Sequence, residues 1–217
     1  MPQSATPELV PYAEADARLG GALTSAFDGG YATALLFDGD LTVAGDFPDA
    51  FHDLLVTRAV EVVVVTGNLT VTGRVGFHDS LPGLYVGGRT EAETLEAGDA
   101  EVHIHDGTFT YLVHGYHNDG TLRTGTVVTP WVIEHEHVMA VHAPGALRVD
   151  EFGDAARADF AGVGVAAAFV SEVVDEHVEL RIDEFLNRLR AGLPVLRPGA
   201  REAAEAARGH PAGVEHR

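Results

Sequence analysis

Apolar and polar positions alternate in short runs through the middle of this chain, and each run stops at a glycine. Leu35-Leu36-Phe37-Asp38-Gly39-Asp40-Leu41-Thr42-Val43-Ala44-Gly45 is nearly repeated by Val63-Val64-Val65-Thr66-Gly67-Asn68-Leu69-Thr70-Val71-Thr72-Gly73. Weaker echoes follow at Leu84-Tyr85-Val86-Gly87-Gly88, His103-Ile104-His105-Asp106-Gly107 and Thr121-Leu122-Arg123-Thr124-Gly125. The lead glycines stand at 39, 67, 88, 107 and 125, so the steps are 28, 21, 19 and 18. Strands punctuated by glycine at a period near twenty predict coils stacked into a solenoid. The expected fold is all-β: a right-handed parallel β-helix over residues 34–149, with helical caps at both termini.

Side chains alternate faces with period two in a strand. The third residue before each glycine (Leu36, Val64, Tyr85, Ile104, Leu122) is apolar throughout and is expected to face inward. The second residue before it (Phe37, Val65, Val86, His105, Arg123) is expected to face outward, and it turns from apolar to polar along the axis. Three outward apolar residues in a row need a cover, such as a terminal helix. Thr6-Pro7 predicts a helix start, with Leu9, Ala13, Ala17, Leu19, Leu23 and Phe27 as its buried stripe over the first open coil. A short helix inserted at Pro48 to Leu55 would account for the first, longest step. After residue 150 the repeat ends. Val163 to Val174 is expected to be a small-residue helix, and Asp183 to Ala191 a helix capped by Asp183 and stopped by Gly192 and Pro194. The domain reading is a helical cap at 1–33, the solenoid at 34–149, a helical extension at 150–197 and a flexible tail at 198–217.

Composition narrows the function classes. The 46% apolar content of the 217 residues supplies a core, and the absence of cysteine excludes disulfides and thiolate metal sites. A net charge of −19 repels phosphate backbones and anionic lipid, so neither nucleic acid nor membrane is an expected partner. Met1 to Thr6 has neither the charge nor the apolar run of a secretory signal, and no stretch is apolar enough for a transmembrane helix. A cytoplasmic protein is expected. All fourteen basic residues are arginine, which with the abundant Ala, Gly and Val suggests a GC-rich bacterial source.

The candidate chemistry is histidine. Seven of the twelve histidines fall between 103 and 142: His103, His105, His114, His117, His135, His137 and His142. His103/His105 and His135/His137 have the spacing that puts two imidazoles on one face of a strand. Neutral imidazole suits Zn, Fe or Cu, so His103, His105, His135, His137 and His142 are the expected ligands of a divalent transition metal. Asp106, Glu134 and Glu136 stand near enough in sequence to complete or orient such a site. Coil stacking at a period of 18 to 19 predicts one outward column of His105, Arg123 and His142, and places His117 beside His135 and His137. Tyr116, His117 and Asn118, at the rim of that region, are the candidate catalytic residues; Asn118-Asp119-Gly120 also reads as a tight turn.

The Gly-Asp-Leu-Thr-Val repeats resemble those of bactofilin-like, polymer-forming β-helix proteins of bacteria. Gly115-Tyr116-His117-Asn118-Asp119-Gly120, followed by Glu134-His135-Glu136-His137, is similar to the turn and the acidic-His-His segment of a related set of bacterial β-solenoids. The likeness spans residues 33 to 197 and departs within the turn, where residues are exchanged around His117. It implies a solenoid fold and association through coil ends, and no particular activity. Gly98, His103, His105 and His114, with Pro130 to His137, also resemble cupin metal motifs, but the glutamate that family has after His105 is missing. A cupin-like double-stranded β-helix is therefore the alternative fold. The expected function is a His-rich surface site that binds a metal ion or a small molecule, as an enzyme of specialised metabolism. The alternative is a non-enzymatic scaffold or an immunity-like protein that binds a protein partner, with which a homo-oligomer is compatible.

Overall fold

The computed structural model describes residues 6–77, 82–117, 120–151 and 157–209. Its centre is a β-solenoid with three faces. The first face stacks β2 (Thr33–Phe37), β4 (Val62–Val65), the opening residues of β7 (Gly83–Ala97) and β8 (Glu101–Tyr116), then β9 (Thr121–Val128) and β11 (Val138–His142). The second stacks β3 (Leu41–Val43), β5 (Leu69–Val71), the middles of β7 and β8, and the end of β9. The third stacks β6 (Arg74–Phe77), the ends of β7 and β8, β10 (Trp131–His135) and β12 (Leu147–Asp150). All these pairings are parallel, which excludes the cupin-like alternative.

Leu35, Val63, Leu84, Val102 and Leu122 form the inward column of the first face, with Phe37, Val65, Val86 and Ile104 beside them. The outward column is Leu36, Val64, Tyr85, His103 and Arg123. The expected columns are therefore corrected. Leu36, Val64 and Tyr85 face away from the solenoid core, whereas Ile104 and Leu122 face into it. The glycines mislead because they are not in register: a bulge between Val86 and Arg89 shifts β7 against β8. Phe37, Val65 and Val86, expected to face outward and need a cover, instead lie in the solenoid core. The observed outward column also runs from apolar to polar, and its apolar part is covered. Leu36 and Val64 pack with Ala15, Leu23 and Phe27 of the N-terminal segment. Gly88 shows why some corners must be glycine: a Cβ there would lie 2.6 Å from the Gly67 carbonyl carbon on the coil below.

The N-terminal cover begins as a strand, not a helix. β1 (Pro7–Pro11) pairs antiparallel with β2 and closes the edge of the first face. The helices that follow, α1 (Tyr12–Arg18) and α2 (Ala22–Ala26), are split at Gly20 and Gly21, both left-handed. Of the expected stripe, Leu23 and Phe27 are buried while Leu9 is 43% exposed. Helices thus cover a face, while the strand and the inserted turn close the end. That insertion matches the expected one: a 3₁₀ turn (Asp49–Phe51) and α3 (His52–Thr57) set Phe51 against Phe37 and Phe47 at the bottom of the core.

The C-terminal segment covers the third face. β13 (Arg157–Ala158) and β14 (Val163–Gly164) extend that sheet antiparallel from β12. In place of one helix over Val163 to Val174, the chain forms β14, the short α4 (Val165–Ala168) and a 3₁₀ turn (Ser171–Val173). α5 (Ile182–Arg190) is the expected helix, but it starts one residue earlier, with Arg181 at its N-cap and Asp183 in its first turn instead of capping it; Phe185 and Leu186 are buried. Trp131, Phe169 and Phe185 pack ring on ring, joining this cover to the outward residues Leu112, Ile133, Leu147 and Val149. α6 (Pro198–Gly209) closes it, burying Ala200 and Ala204. No helix of the described residues is long and apolar enough to cross a membrane.

Candidate functional site

A groove runs where the third face meets the C-terminal cover. One lobe, about 610 Å³, is lined by Asp46, Asp49, Arg74, Glu96 and Asp183 among others. The next, about 360 Å³, is lined by His117, His135, Glu136, Glu151 and Glu179 among others. His114, Tyr116 and Ile182 border both lobes, so the two are continuous.

The register explains how the polar groups arrive there. Gly76, Glu96, His114, Ile133 and Val149 form one outward column of the third face. Ile133 and Val149 are buried under the cover, whereas Glu96 and His114 border the groove. Glu96 and His114 are neighbours on adjacent coils, about 4.8 Å apart along the backbone. Both are more than nine-tenths buried. The Thr94 hydroxyl donates to Glu96 Oε1 at 2.6 Å, and Arg74 Nη1 lies 3.9 Å from that same oxygen. Arg74 also donates to Asp183 at 3.1 Å, which ties α5 to the solenoid. Burial opposes the Arg74 charge, but Glu96, Asp183 and Asp46 together hold its pKa above the usual value. The Tyr116 ring stacks on His114 at 5.1 Å and meets the His117 ring edge-on at 4.9 Å.

In the second lobe Glu151 is 3% exposed and accepts the Leu180 N–H at 2.5 Å. Burial pushes its carboxyl up to about 8; the Leu180 bond opposes this, and Glu179, Asp175 and Asp150 add to it. Glu134 is also raised, by burial and then by Asp150. The His137 Nδ1–H donates to the His117 carbonyl at 2.9 Å, and its buried Nε2 has no hydrogen-bond partner among the described residues. Burial lowers its pKa, so the neutral ring is favoured.

Tyr116, His117 and His135 therefore come together in the groove, with His137 behind them; Asn118 lies outside the described residues. The other three expected ligands are elsewhere. His103 stacks on Tyr85 at 5.5 Å on the first face, its pKa lowered by burial and then by Arg123 and His105. His105 is exposed at the next corner, its carbonyl against Gly125. His142 pairs with Thr126, and Arg123 pairs with His103. The expected column of His105, Arg123 and His142 does not form, because the β8–β9 and β9–β11 steps differ from the glycine spacing. Among the described residues no three His, Asp or Glu side chains are grouped to hold a metal ion.

The sequence reading missed Arg74, Glu96, Asp183 and Glu151. Glu96 had a signal: a carboxylate in a column whose later members, Ile133 and Val149, are apolar. That column becomes visible only once the register is known. Chemically, a carboxylate, an imidazole and a phenol side by side offer a bound molecule both hydrogen-bond acceptors and donors. The larger lobe sets four carboxylates, Asp46, Asp49, Glu96 and Asp183, against the single guanidinium of Arg74. Comparisons of this chain with protein-family models, with curated proteins and with solved structures yield no match.

Proposed function

We infer that this β-solenoid binds a small organic cation, an amine or guanidinium compound, in the groove between its third face and the C-terminal cover. The observation that carries this reading is the buried Glu96 at the floor of a lobe where carboxylates outnumber the one arginine. Burying a carboxylate is costly and adds little to packing, so its retention beside a cavity favours a ligand role. A concave site lined by one sign of charge raises the local concentration of the opposite sign. Tyr116 offers an aromatic ring at the junction of the lobes, where a cation is also attracted by a π face. Glu96, His114 and Tyr116 then stand beside the bound molecule as proton donors and acceptors.

Isothermal titration tests this with putrescine, choline and agmatine against succinate, glucose and Zn²⁺. At least one of the cations binds, and Glu96→Gln weakens it tenfold or more. Glu205→Gln, the same charge change on exposed α6, leaves it unaltered. Equal binding of succinate or glucose, or an equal loss in both variants, refutes the reading. Zn²⁺ is included because His117 and His135 line one lobe. Zn²⁺ binding abolished by His135→Ala, with no amine bound, would replace this reading with a metal site.

A further inference from the structure

A second cavity lies on the opposite side of the C-terminal cover, with different chemistry. It is about 310 Å³ and is lined by Tyr111, Trp131, Leu189, Leu193, Leu196 and Arg201 among others. Although the chain carries 33 acidic residues, no carboxylate of the described residues lines this cavity. Leu193 is 50% exposed there. The neighbouring arginines of the cover are engaged: Arg188 with the Pro194 carbonyl and Glu172, Arg190 with Glu93, and Arg197 with the Phe169 carbonyl. Arg201 makes no ion pair or side-chain hydrogen bond among the described residues. An apolar, aromatic-walled cavity with one uncommitted guanidinium complements a molecule with an apolar body and a single negative group.

We propose that this cavity is a binding site for a small apolar carboxylate, its hydrocarbon or aromatic part lying on Trp131 and Leu193 and its carboxylate paired with Arg201. The ligand is a free acid and not a lipid in a bilayer, because a chain of net charge −19 is repelled by an anionic membrane surface. The site is independent of the groove that holds Glu96, with which it shares no lining residue.

Trp131 is the only tryptophan in the chain and reports on the cavity directly. The full chain is titrated with decanoate, decanol and decyltrimethylammonium while the fluorescence of Trp131 is followed. Decanoate shifts the emission saturably and binds at least tenfold tighter than decyltrimethylammonium. Arg201→Gln removes that preference and leaves decanol binding unchanged, and Glu96→Gln leaves decanoate binding unchanged. No saturable change with decanoate, equal binding of the cationic analogue, or an unaltered preference in Arg201→Gln overturns the proposal. So does stronger binding to phosphatidylglycerol vesicles than to decanoate.

Discussion

Replacing Glu151 by glutamine should flatten the dependence of stability on pH. Glu151 ends the last coil of the third face and accepts the Leu180 N–H of the cover, so it joins the two parts of the molecule. Glutamine keeps the acceptor oxygen and the volume but cannot ionise. Moving the carboxyl from 4.5 to about 8 corresponds to about 5 kcal/mol of preference for the neutral form. Because the folded pKa is raised, this group's contribution is fully present below about pH 4.5. It falls as pH rises and is lost once pH passes about 8. Between pH 6 and pH 9 the wild-type chain should therefore lose roughly 2–3 kcal/mol more than Glu151→Gln. Urea unfolding of both chains at the two pH values measures the difference. Curves that run parallel within about 0.5 kcal/mol would show that Glu151 is not held neutral by its burial, and the account of this lobe would fail.

Three further outcomes follow from the geometry. Gly88→Ala should destabilise the chain by about 2–4 kcal/mol by thermal or urea unfolding, because the new Cβ meets the backbone carbonyl of Gly67, which cannot move aside. Arg123→Gln should lose the bonds to the Ala26 carbonyl and to Asp28, both 2.9 Å, and cost about 1 kcal/mol. Faster amide exchange confined to α1 and α2 would mark that loss, whereas a uniform change would contradict a local role. An NMR titration should find the His103 ring neutral to a pH below the usual histidine range, since burial and Arg123 both disfavour its charged form. In Arg123→Gln its pKa should rise.

Much of the fold could be read from local chemistry. Glycine-ended runs of alternating residues announced stacked coils. The longest step announced the helical turn that now carries Phe51, whereas the cover was expected over Phe37, Val65 and Val86, which face the core, and lies over Leu36 and Val64. The likeness to polymer-forming solenoids suggested association through coil ends. The antiparallel strands β1 and β13 now pair with the edges where such stacking on the first and third faces would begin. Thr6-Pro7 was misleading because the free edge of β2 takes up an antiparallel strand there, and those hydrogen bonds outweigh a weak capping signal.

The site was only partly legible, since histidines stand out in a sequence and a lone glutamate does not. Alternation and glycine by themselves determined that the chain winds in coils, because both are local properties of the strand and the corner. Tertiary structure alone decided which residues share a column, since the coil-to-coil steps of the strand register differ from the glycine spacing and shift within β7–β8 and β9–β11. Those steps set His142 beside Thr126 and keep it and His105 away from His117 and His135. Only the packing of α5 and its flanking loop against the third face put Asp183, Glu179 and Leu180 across from Glu96 and Glu151, residues 28 to 87 positions away in the chain. Contacts of that range are set by the burial of Trp131, Phe169 and Phe185, and no local pattern encodes them.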